Sequence, residues 1–293
     1  MNNSSGYFID EDESGLGKCL VLTGPWRTEF AIVARDEEVK VLRLSRAAGW
    51  KDTDLNFVRD LKFLEGVEIF SFDVKDVAPV FELKGLRYVG FQCNFNSATR
   101  FEAFENLESC KIFWGAKALD LWTCIKLRHL NIVNYPNANL AACKMLRRMC
   151  RLQISSRKLT TLQGIECMGH LQIFDAADCQ KLADLSTLVQ CRCLESIRIK
   201  GCRRIAKIPE RLGDTELKSV VLEDCGKIES LAPLANVRGL QSIKFVGDTT
   251  VLDGDLAFFE EIPALEEVWF ANRRHYSVTR EELALRLAAK HQS

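Results

Sequence analysis

The sequence repeats a short apolar pattern, and this repeat constrains the fold more than any other feature. An apolar residue occupies the first, fourth and sixth positions of a segment that recurs every twenty-odd residues, as in LKSVVL at Leu217. The matching segments start at Val39, Val67, Leu86, Leu107, Leu127, Met149, Leu171, Leu194, Leu217, Leu240 and Leu265. Recurrence at this period predicts a solenoid of stacked structural units.

Each unit has a strand-like half and a helix-like half. The alternation at the fourth and sixth positions predicts a short β-strand with one buried and one outward side. Further apolar residues then advance in steps of three and four, which predicts helical or 3₁₀ turns on the convex side. Three consecutive units carry a cysteine at the ninth position, at Cys179, Cys202 and Cys225.

These positions resemble the leucine-rich repeat family, whose strand reads L-x-x-L-x-L-x-x-N/C-x-L. The resemblance covers residues 39–272 and implies an α/β solenoid, a horseshoe with a parallel β-sheet of about eleven strands on its concave face. The ninth position is Asn94 in one unit, but in others it is Gly115, Tyr135, Arg157, Asp248 or Arg273. We therefore expect the side-chain ladder that normally satisfies the turn backbone to be broken, and the convex segments to vary.

The ends of a solenoid need caps, because the core is otherwise open to water. Residues 18–38 read as two strands joined by a turn at Gly24-Pro25, which predicts an N-terminal β-hairpin cap. Residues 273–293 contain a capping-box sequence followed by good helix formers, which predicts a C-terminal cap with a helix. Residues 1–17 are polar and acidic, and we expect them to form a flexible tail.

The overall charge excludes several classes of partner. The 40 Lys and Arg residues balance the 40 Asp and Glu residues, so we expect neither a nucleic acid nor a membrane surface as partner. The N-terminus lacks the apolar region of a signal peptide, and no segment approaches the roughly 20 apolar residues of a membrane span. The twelve cysteines then favour free, mostly buried thiols in a reducing cytosol. We expect a cytoplasmic chain that is a monomer on its own.

The sequence lacks the motifs of common catalytic sites. None of the four histidines lies in an H-E-x-x-H motif, and there is no G-x-S-x-G, P-loop or G-x-G-x-x-G after a strand. Cys191 and Cys193 form a C-x-C, with Cys167 and His170 one repeat earlier, but zinc knuckles use a two-residue spacer. We expect packing cysteines, no metal, no cofactor and no enzymatic activity. A catalytic site built from Cys or His residues is the alternative, and bound metal would favour it.

The third, fifth and seventh residues of each unit point outward on the concave face, where we expect a protein partner to bind. Aromatic side chains there suit interface hot spots, and mixed charges suit specificity. The candidate partner-binding residues are Tyr88, Lys111, Phe113, Trp114, His129, Asn131, Arg151, Gln153, Asp175, Arg198, Lys200, Glu223, Lys244 and Trp269. The side chains expected to cluster on neighbouring strands are Tyr88, Phe113, Trp114 and His129. A one-residue slip would instead bury Phe113 or Trp114. Independently, the alternative for the charged residues is a solvated sheet face whose cross-strand pairs contribute little.

The closing segment LEEVWFANRRHYSVTREEL resembles that of cytosolic bacterial leucine-rich repeat proteins found beside secreted polymorphic toxins. The residues that carry this resemblance are Asn272, Arg273, Arg274, His275 and Tyr276. It implies an immunity protein that neutralises a cognate toxin by covering it with the concave face. The same residues also fit a simple connection between the last strand and the cap. The alternative function is a scaffold or substrate receptor in a larger complex, similar to ubiquitin-ligase receptors but without their recruiting domain.

Overall fold

The computed structural model describes residues 5–115 and 117–290 of the chain. It divides into an N-terminal unit, residues 1–133, and a C-terminal unit, residues 134–293. Both units are built mainly from short strands, and each sequence repeat contributes one strand to the main sheet, with 3₁₀ turns between most consecutive strands.

The N-terminal unit begins with an antiparallel pair of strands, and the strands that follow are parallel in chain order. These strands are β1 (Tyr7–Glu11), β2 (Lys18–Leu22), β3 (Val41–Ser45), β4 (Gly66–Phe70), β5 (Tyr88–Phe91), β6 (Ser109–Phe113) and β7 (His129–Val133). The helix α1 spans Glu29–Asp36, and 3₁₀ helices span Asn56–Asp60, Ala78–Glu82, Phe101–Ala103 and Leu119–Thr123.

The C-terminal unit continues the same pattern of parallel strands. Its strands are β8 (Arg151–Ser155), β9 (Ile173–Ala177), β10 (Ser196–Lys200), β11 (Ser219–Glu223), β12 (Lys227–Ile228), β13 (Ser242–Val246), β14 (Thr250–Val251) and β15 (Glu267–Phe270). The main sheet runs β8-β9-β10-β11-β13-β15, and the short strands β12 and β14 pair separately. The 3₁₀ helices span Ala141–Cys143, Ile165–Cys167, Ser186–Gln190, Leu212–Asp214, Ala232–Asn236 and Ala257–Glu261, and α2 spans Arg280–Lys290.

The first, fourth and sixth residues of the repeats form the cores of both units. In LKSVVL, Leu217, Val220 and Leu222 are all buried. Val220 lies in register with Ile197 and Ile243 on the neighbouring strands. Burying one such side chain is worth about 1.5–3 kcal/mol, so this apolar stripe fixes the register of each strand. The predicted repeat pattern and its strand assignment are confirmed.

One predicted repeat start is wrong. The second repeat starts at Leu64 rather than Val67, because Leu64, Val67 and Ile69 are the residues that fill its core positions. Val67 accordingly lies in register with Leu42 of the preceding strand. Phe72, which the predicted register would bury, is 51% exposed. The stretch VEIFSF has apolar residues on both sides, so its register cannot be read from polarity alone.

Buried Ser, Cys and Thr side chains form a ladder along the turns of the C-terminal unit, each bonded to backbone of an earlier repeat. Its members are Ser156, Cys179, Cys202, Cys225 and Thr249. The sequence predicts a break at Arg157 and Asp248, and this prediction is wrong because the adjacent Ser156 and Thr249 occupy the ladder position. The Ser156 hydroxyl donates to the Tyr135 carbonyl oxygen at 2.7 Å.

The N-terminal β-hairpin is present, but one of its strands comes from an unexpected part of the sequence. Strand β1 lies in the predicted tail and pairs with β2, whereas residues 29–36, the predicted second strand, form helix α1. A strand would bury Phe30, Ile32 and Ala34 together, but Ile32 is 60% exposed, as helical i, i+4 spacing requires. The strand prediction for this segment and the tail prediction for residues 7–11 are therefore wrong. Residues 1–4 of the predicted tail lie outside the described residues.

The predicted C-terminal helix is confirmed as α2. The backbone N–H of Thr279 donates to Glu282 Oε2 at 2.9 Å, and the backbone N–H of Glu282 donates to Thr279 Oγ1 at 3.2 Å. These reciprocal bonds are those of a capping box. Leu283 and Leu287 are buried, so one face of the helix covers the end of the core. Among the described residues, no helix is long and apolar enough to cross a bilayer.

Gly164 provides a test of the tight turns between strands. Its φ is +104°, and a Cβ atom at this position would lie 2.4 Å from the carbonyl carbon of Leu140. We expect Gly164→Ala to lower the free energy of unfolding by at least about 2 kcal/mol, because it combines left-handed strain with a backbone clash. Gly169→Ala is the matched control, since nothing lies within 4 Å of its Cβ position. Urea denaturation followed by circular dichroism would compare them, and equal midpoints would contradict the described turn.

Candidate functional site

In each unit, the strand residues that alternate with the core positions form an open face. In the C-terminal unit, the central row of this face holds one residue from each strand in register. Its members are Gln153, Asp175, Arg198, Val221, Lys244 and Trp269. Because neighbouring strands lie about 4.8 Å apart, consecutive side chains of this row are immediate neighbours.

Part of this face is neutralised by internal pairs. Asp175 Oδ2 lies 3.4 Å from Arg151 Nη2 and accepts a hydrogen bond of 2.8 Å from Gln153 Nε2. Glu223 Oε1 lies 2.7 Å from Lys200 Nζ, and this hydrogen bond raises the pKa of Lys200. The structure therefore brings these five predicted residues together as two polar groups on the open face.

Arg198 and Lys244 differ from their neighbours, because both are exposed and lack an acidic partner. Within residues 5–115 and 117–290, no carboxylate oxygen lies within 4.0 Å of either side-chain cation. The two residues lie in one row, on either side of Val221. The central row therefore carries two positive charges without a direct ion-pair partner, separated by an apolar residue.

Trp269 ends the central row, next to Lys244. Its side chain is 48% exposed, and the guanidinium carbon of Arg280 lies 4.4 Å from its ring centroid. The backbone N–H of Arg280 donates to Asn272 Oδ1 at 2.8 Å, which anchors Arg280 at the start of α2. The indole ring is thus held from one side by a cation–π contact and presents a large apolar surface to solvent.

Three residues of the closing segment contact the backbone of the preceding repeat. Arg273 Nη2 donates to the Thr249 carbonyl oxygen at 3.2 Å, and His275 Nε2 lies 2.9 Å from the Val251 carbonyl oxygen. The Tyr276 hydroxyl accepts a hydrogen bond of 3.1 Å from the Val251 N–H. These bonds hold the segment between β15 and α2 against the preceding repeat, which is the structural role that the sequence left open.

Tyr88 lies on the open face of the N-terminal unit but is only 1% exposed. It packs in a cluster with Cys19, Val21 and Val41, and its hydroxyl donates to a carboxylate oxygen of Glu68. Burial, and then the adjacent Glu68 carboxylate, raise the pKa of the Tyr88 phenol far above its usual range. The expectation that Tyr88 is available to a partner is therefore wrong.

Glu68 is the centre of a charge network on this covered part of the face. It is 0% exposed, and its Oε2 lies 2.5 Å from Arg43 Nε. Its Oε1 lies 3.7 Å from Lys111 Nζ, which is also 3.2 Å from Glu13 Oε2. Sequence reasoning missed Glu68 and Glu13. The apolar run CLVL at 19–22 could have predicted that this part of the face is covered, because a strand with apolar residues on both sides is usually buried on both faces.

The predicted aromatic cluster of the N-terminal unit does not form. Phe113 contacts Phe72 edge to face, with ring centroids 5.4 Å apart. Trp114 follows β6 and stacks on Trp122, with centroids 5.1 Å apart. Phe113 and Trp114 are half-buried, so each joins a separate aromatic pair rather than a common cluster.

His129 and Asn131 lie on β7, in register with Ser109 and Lys111. His129 is exposed and Asn131 is half-buried. His129 and residues 14–16 line a cavity of about 340 Å³ on the open face. These two predicted residues therefore border the covered part of the face.

Most of the cysteines are buried, and several of their thiols lie near backbone carbonyl oxygens. Among the described residues, no group of three or more His, Cys, Asp or Glu side chains is placed to hold a metal ion. The thiols of Cys167 and Cys191 lie 3.1 Å and 3.7 Å from backbone carbonyl oxygens. Burial raises the pKa of Cys191 to about 12, which keeps this thiol protonated near neutral pH. Cys193, the other half of the C-x-C, is partly exposed.

Comparison with solved structures identifies leucine-rich repeat proteins. An internalin from Listeria monocytogenes, InlF, is similar with a TM-score of 0.57 and 14% identity, over 88% of this chain and 83% of its own. The functional domain of InlJ from Listeria monocytogenes, which includes a cysteine ladder, has a TM-score of 0.54 and 11% identity over 85% of this chain. The match spans 57% of that InlJ chain. The sequence matches no protein-family model and no curated protein.

At this level of identity, the similarity concerns the fold alone. Together with the parallel repeat strands, the 3₁₀ turns and the capped C-terminal helix, it shows that the chain has a leucine-rich repeat fold. The resemblance that the repeat spacing carries is confirmed at the level of the fold.

The Glu68 network should contribute strongly to stability. We expect Glu68→Ala to lower the free energy of unfolding by about 3 kcal/mol or more, because it leaves the largely buried Arg43 without its counter-charge. Glu37→Ala is the control, since it removes a solvent-exposed pair with Lys18 and should change the unfolding midpoint little. Urea unfolding would measure both. A midpoint for Glu68→Ala close to that of the unmodified chain would contradict the described network.

The cysteines should differ in reactivity according to their burial. Cys150, Cys167 and Cys193 are partly exposed, whereas burial raises the pKa of Cys19 and Cys143 to about 12. We expect N-ethylmaleimide at pH 8 to label the three partly exposed thiols first, because the thiolate is the reactive form. Peptide mass spectrometry of the native protein would identify the order. Labelling of Cys143 as fast as Cys150 would contradict it.

Proposed function

We propose that the protein is a non-enzymatic binding protein, and that the open face of its C-terminal unit contacts another protein. The observation that carries this proposal is the half-exposed Trp269 on β15, which lies beside Lys244 on β13. Arg198 lies in the same row, two strands beyond Lys244, on β10. The partner surface that fits this row is acidic around an apolar patch.

The physical properties of the row support this proposal. Tryptophan and arginine dominate the binding energy of many interfaces, and Trp269 is already held by Arg280, so binding orders little that was free. Uncompensated cations attract an acidic surface and disfavour a basic one, which increases association rate and selectivity. The neighbouring pair of Lys200 and Glu223 would help to set the orientation of the partner.

In its finer form, the proposal is that the chain is a bacterial immunity protein that binds and neutralises a cognate toxin. The resemblance of the closing segment supports it, although those residues would support the binding surface rather than contact the toxin. Inhibition then needs only coverage or distortion of the toxin's site, so this chain supplies no catalytic group and no cofactor. All twelve cysteines lie in the described residues and are free, which supports a reducing cytosol.

Purification with the product of a neighbouring gene tests this function. A stoichiometric complex with a toxic enzyme would support immunity, whereas an assembly of several components without a toxic activity would favour the scaffold or substrate-receptor function. Rescue of growth by this chain would measure neutralisation directly. A partner whose toxicity is unaffected by the bound chain would contradict the immunity proposal.

The contact surface is tested by substitution. We expect Trp269→Ala to weaken the complex at least about thirtyfold, as for a central aromatic hot spot. The double charge reversal Arg198→Glu with Lys244→Glu should weaken it at least about tenfold and reduce its dependence on salt. Isothermal titration calorimetry at two salt concentrations would measure both effects.

The matched control is Arg204→Glu with Lys227→Glu. Both residues are exposed and, among the described residues, have no ion-pair partner, but they lie outside the open face. This control changes the net charge as much as the test variant does, and it should bind like the unmodified chain. Equal loss of affinity in the control and test variants would show that net charge, rather than this face, governs binding.

A further inference from the structure

Residues 12–17, which connect β1 to β2, form a short strap across the open face of the N-terminal unit. Within the strap, the N–H of Asp12 donates to the Gly17 carbonyl oxygen at 2.9 Å, and the N–H of Ser14 donates to Asp12 Oδ2 at 2.8 Å. Leu16 packs against the cluster that contains Tyr88. Glu13 reaches Lys111, 98 residues away in sequence.

The surface beneath the strap carries an incompletely balanced charge. Arg43 and Lys111 both contact the single carboxylate of Glu68, which leaves one positive charge. The Lys111 ammonium lies 5.6 Å from the Tyr88 ring centroid and 3.2 Å from Glu13 Oε2. Glu13 therefore supplies the second negative charge from outside the sheet.

The contacts that hold the strap closed are weak. The Glu13 side chain is 75% exposed, and an ion pair with one partner in water contributes little to stability. Leu16 is only partly buried. Asp12 is 8% exposed, and its Oδ1 is buried without a hydrogen-bond partner among the described residues, which disfavours the closed arrangement. Opening the strap would relieve this oxygen at the loss of few contacts.

We propose that the strap is an internal competitor, in which Glu13 occupies the position that an acidic side chain of a protein partner takes on Lys111. Displacement of the strap would expose a second docking surface made of Lys111, Tyr88 and the edge of the Glu68 network. This inference rests on the proposed function, that the chain binds a protein. In this proposal, Lys111 and Tyr88 contact a protein partner only when the strap is displaced.

We infer that the partner contributes an acidic segment, because the strap itself places an acidic and an aliphatic side chain on this surface. The strap places a carboxylate on the ammonium and an aliphatic side chain, Leu16, on the apolar cluster beside it. A partner segment with an acidic residue near an aliphatic residue would reproduce both contacts. The partner segment would not place a carboxylate where Asp12 Oδ1 lies in the closed strap. Replacement of the strap by the partner would therefore remove one buried oxygen that has no hydrogen-bond partner.

The experiment follows Lys111 directly in the full chain. N-hydroxysuccinimide acetate is applied under native conditions, and acetylation of Lys111 is quantified by peptide mass spectrometry with and without poly-L-glutamate. Leu16→Ala loosens the strap without altering the charges around Lys111, and Glu13→Gln removes the competing carboxylate. Glu37→Gln is the control, because it breaks the Lys18–Glu37 pair but leaves the strap contacts intact.

We expect Leu16→Ala and Glu13→Gln each to raise Lys111 acetylation by about two- to fivefold, with Glu37→Gln unchanged. Poly-L-glutamate should protect Lys111 from acetylation in both variants more than in the unmodified chain. Addition of 0.5 M salt should reduce this protection roughly threefold or more, because salt screens the attraction between the charges. Faster acetylation without protection would mean that the strap is only a cover. Unchanged acetylation in Leu16→Ala would mean that the strap does not gate Lys111, and either result overturns the proposal.

This readout is independent of the C-terminal face. Failure of Trp269→Ala to weaken a partner complex would overturn the proposed contact surface and leave the Lys111 measurement unaffected. Conversely, a strap that never opens would leave the C-terminal face able to bind. The two proposals can therefore fail separately.

Discussion

Burial of alternate strand residues is the constraint on which the rest of the structure depends. Leu217, Val220 and Leu222 commit one side of a strand to the core, and the same positions do so in every repeat. Where the other side of the strand is open, as in the C-terminal unit, the remaining residues can vary with little cost to packing. Cation, carboxylate and tryptophan side chains can follow one another along the open face of the C-terminal unit because the opposite face of its strands supplies the core.

The ladder of buried Ser, Cys and Thr side chains solves the second problem of a repeat fold, which is the backbone of the tight turns. A buried carbonyl group without a partner is destabilising, and the Cys202 thiol or the Ser156 hydroxyl supplies the missing donor. Several small polar residue types can do this from adjacent sequence positions. For this reason, a strict ninth-position rule underestimates the continuity of the ladder.

The fold could be read from the sequence wherever polarity alternates clearly, as in LKSVVL. It could not be read at VEIFSF, where both sides are apolar, or in the segment around Ile32, where strand and helix bury different subsets of the same residues. The capping box before α2 was predictable because Thr279 and Glu282 interact locally. The partners of Tyr88 lie 20 or more residues away in sequence, so no local pattern reveals its burial.

The two open faces differ in what they offer a partner. The C-terminal face presents Trp269 and two uncompensated cations directly to solvent. The N-terminal face has a comparable cation in Lys111, but Glu13 already occupies it. The C-terminal face is therefore open as it stands, whereas the proposed N-terminal surface first requires displacement of the strap.

Hydrogen–deuterium exchange of the chain alone and in complex with its protein partner would show which face binds. We expect slower exchange in β10, β13 and β15 on binding, together with faster exchange at the strap amides of Asp12 and Gly15, whose hydrogen bonds close the turn. Protection confined to the 3₁₀ turns, with β10, β13 and β15 unchanged, would contradict a binding surface on the open face.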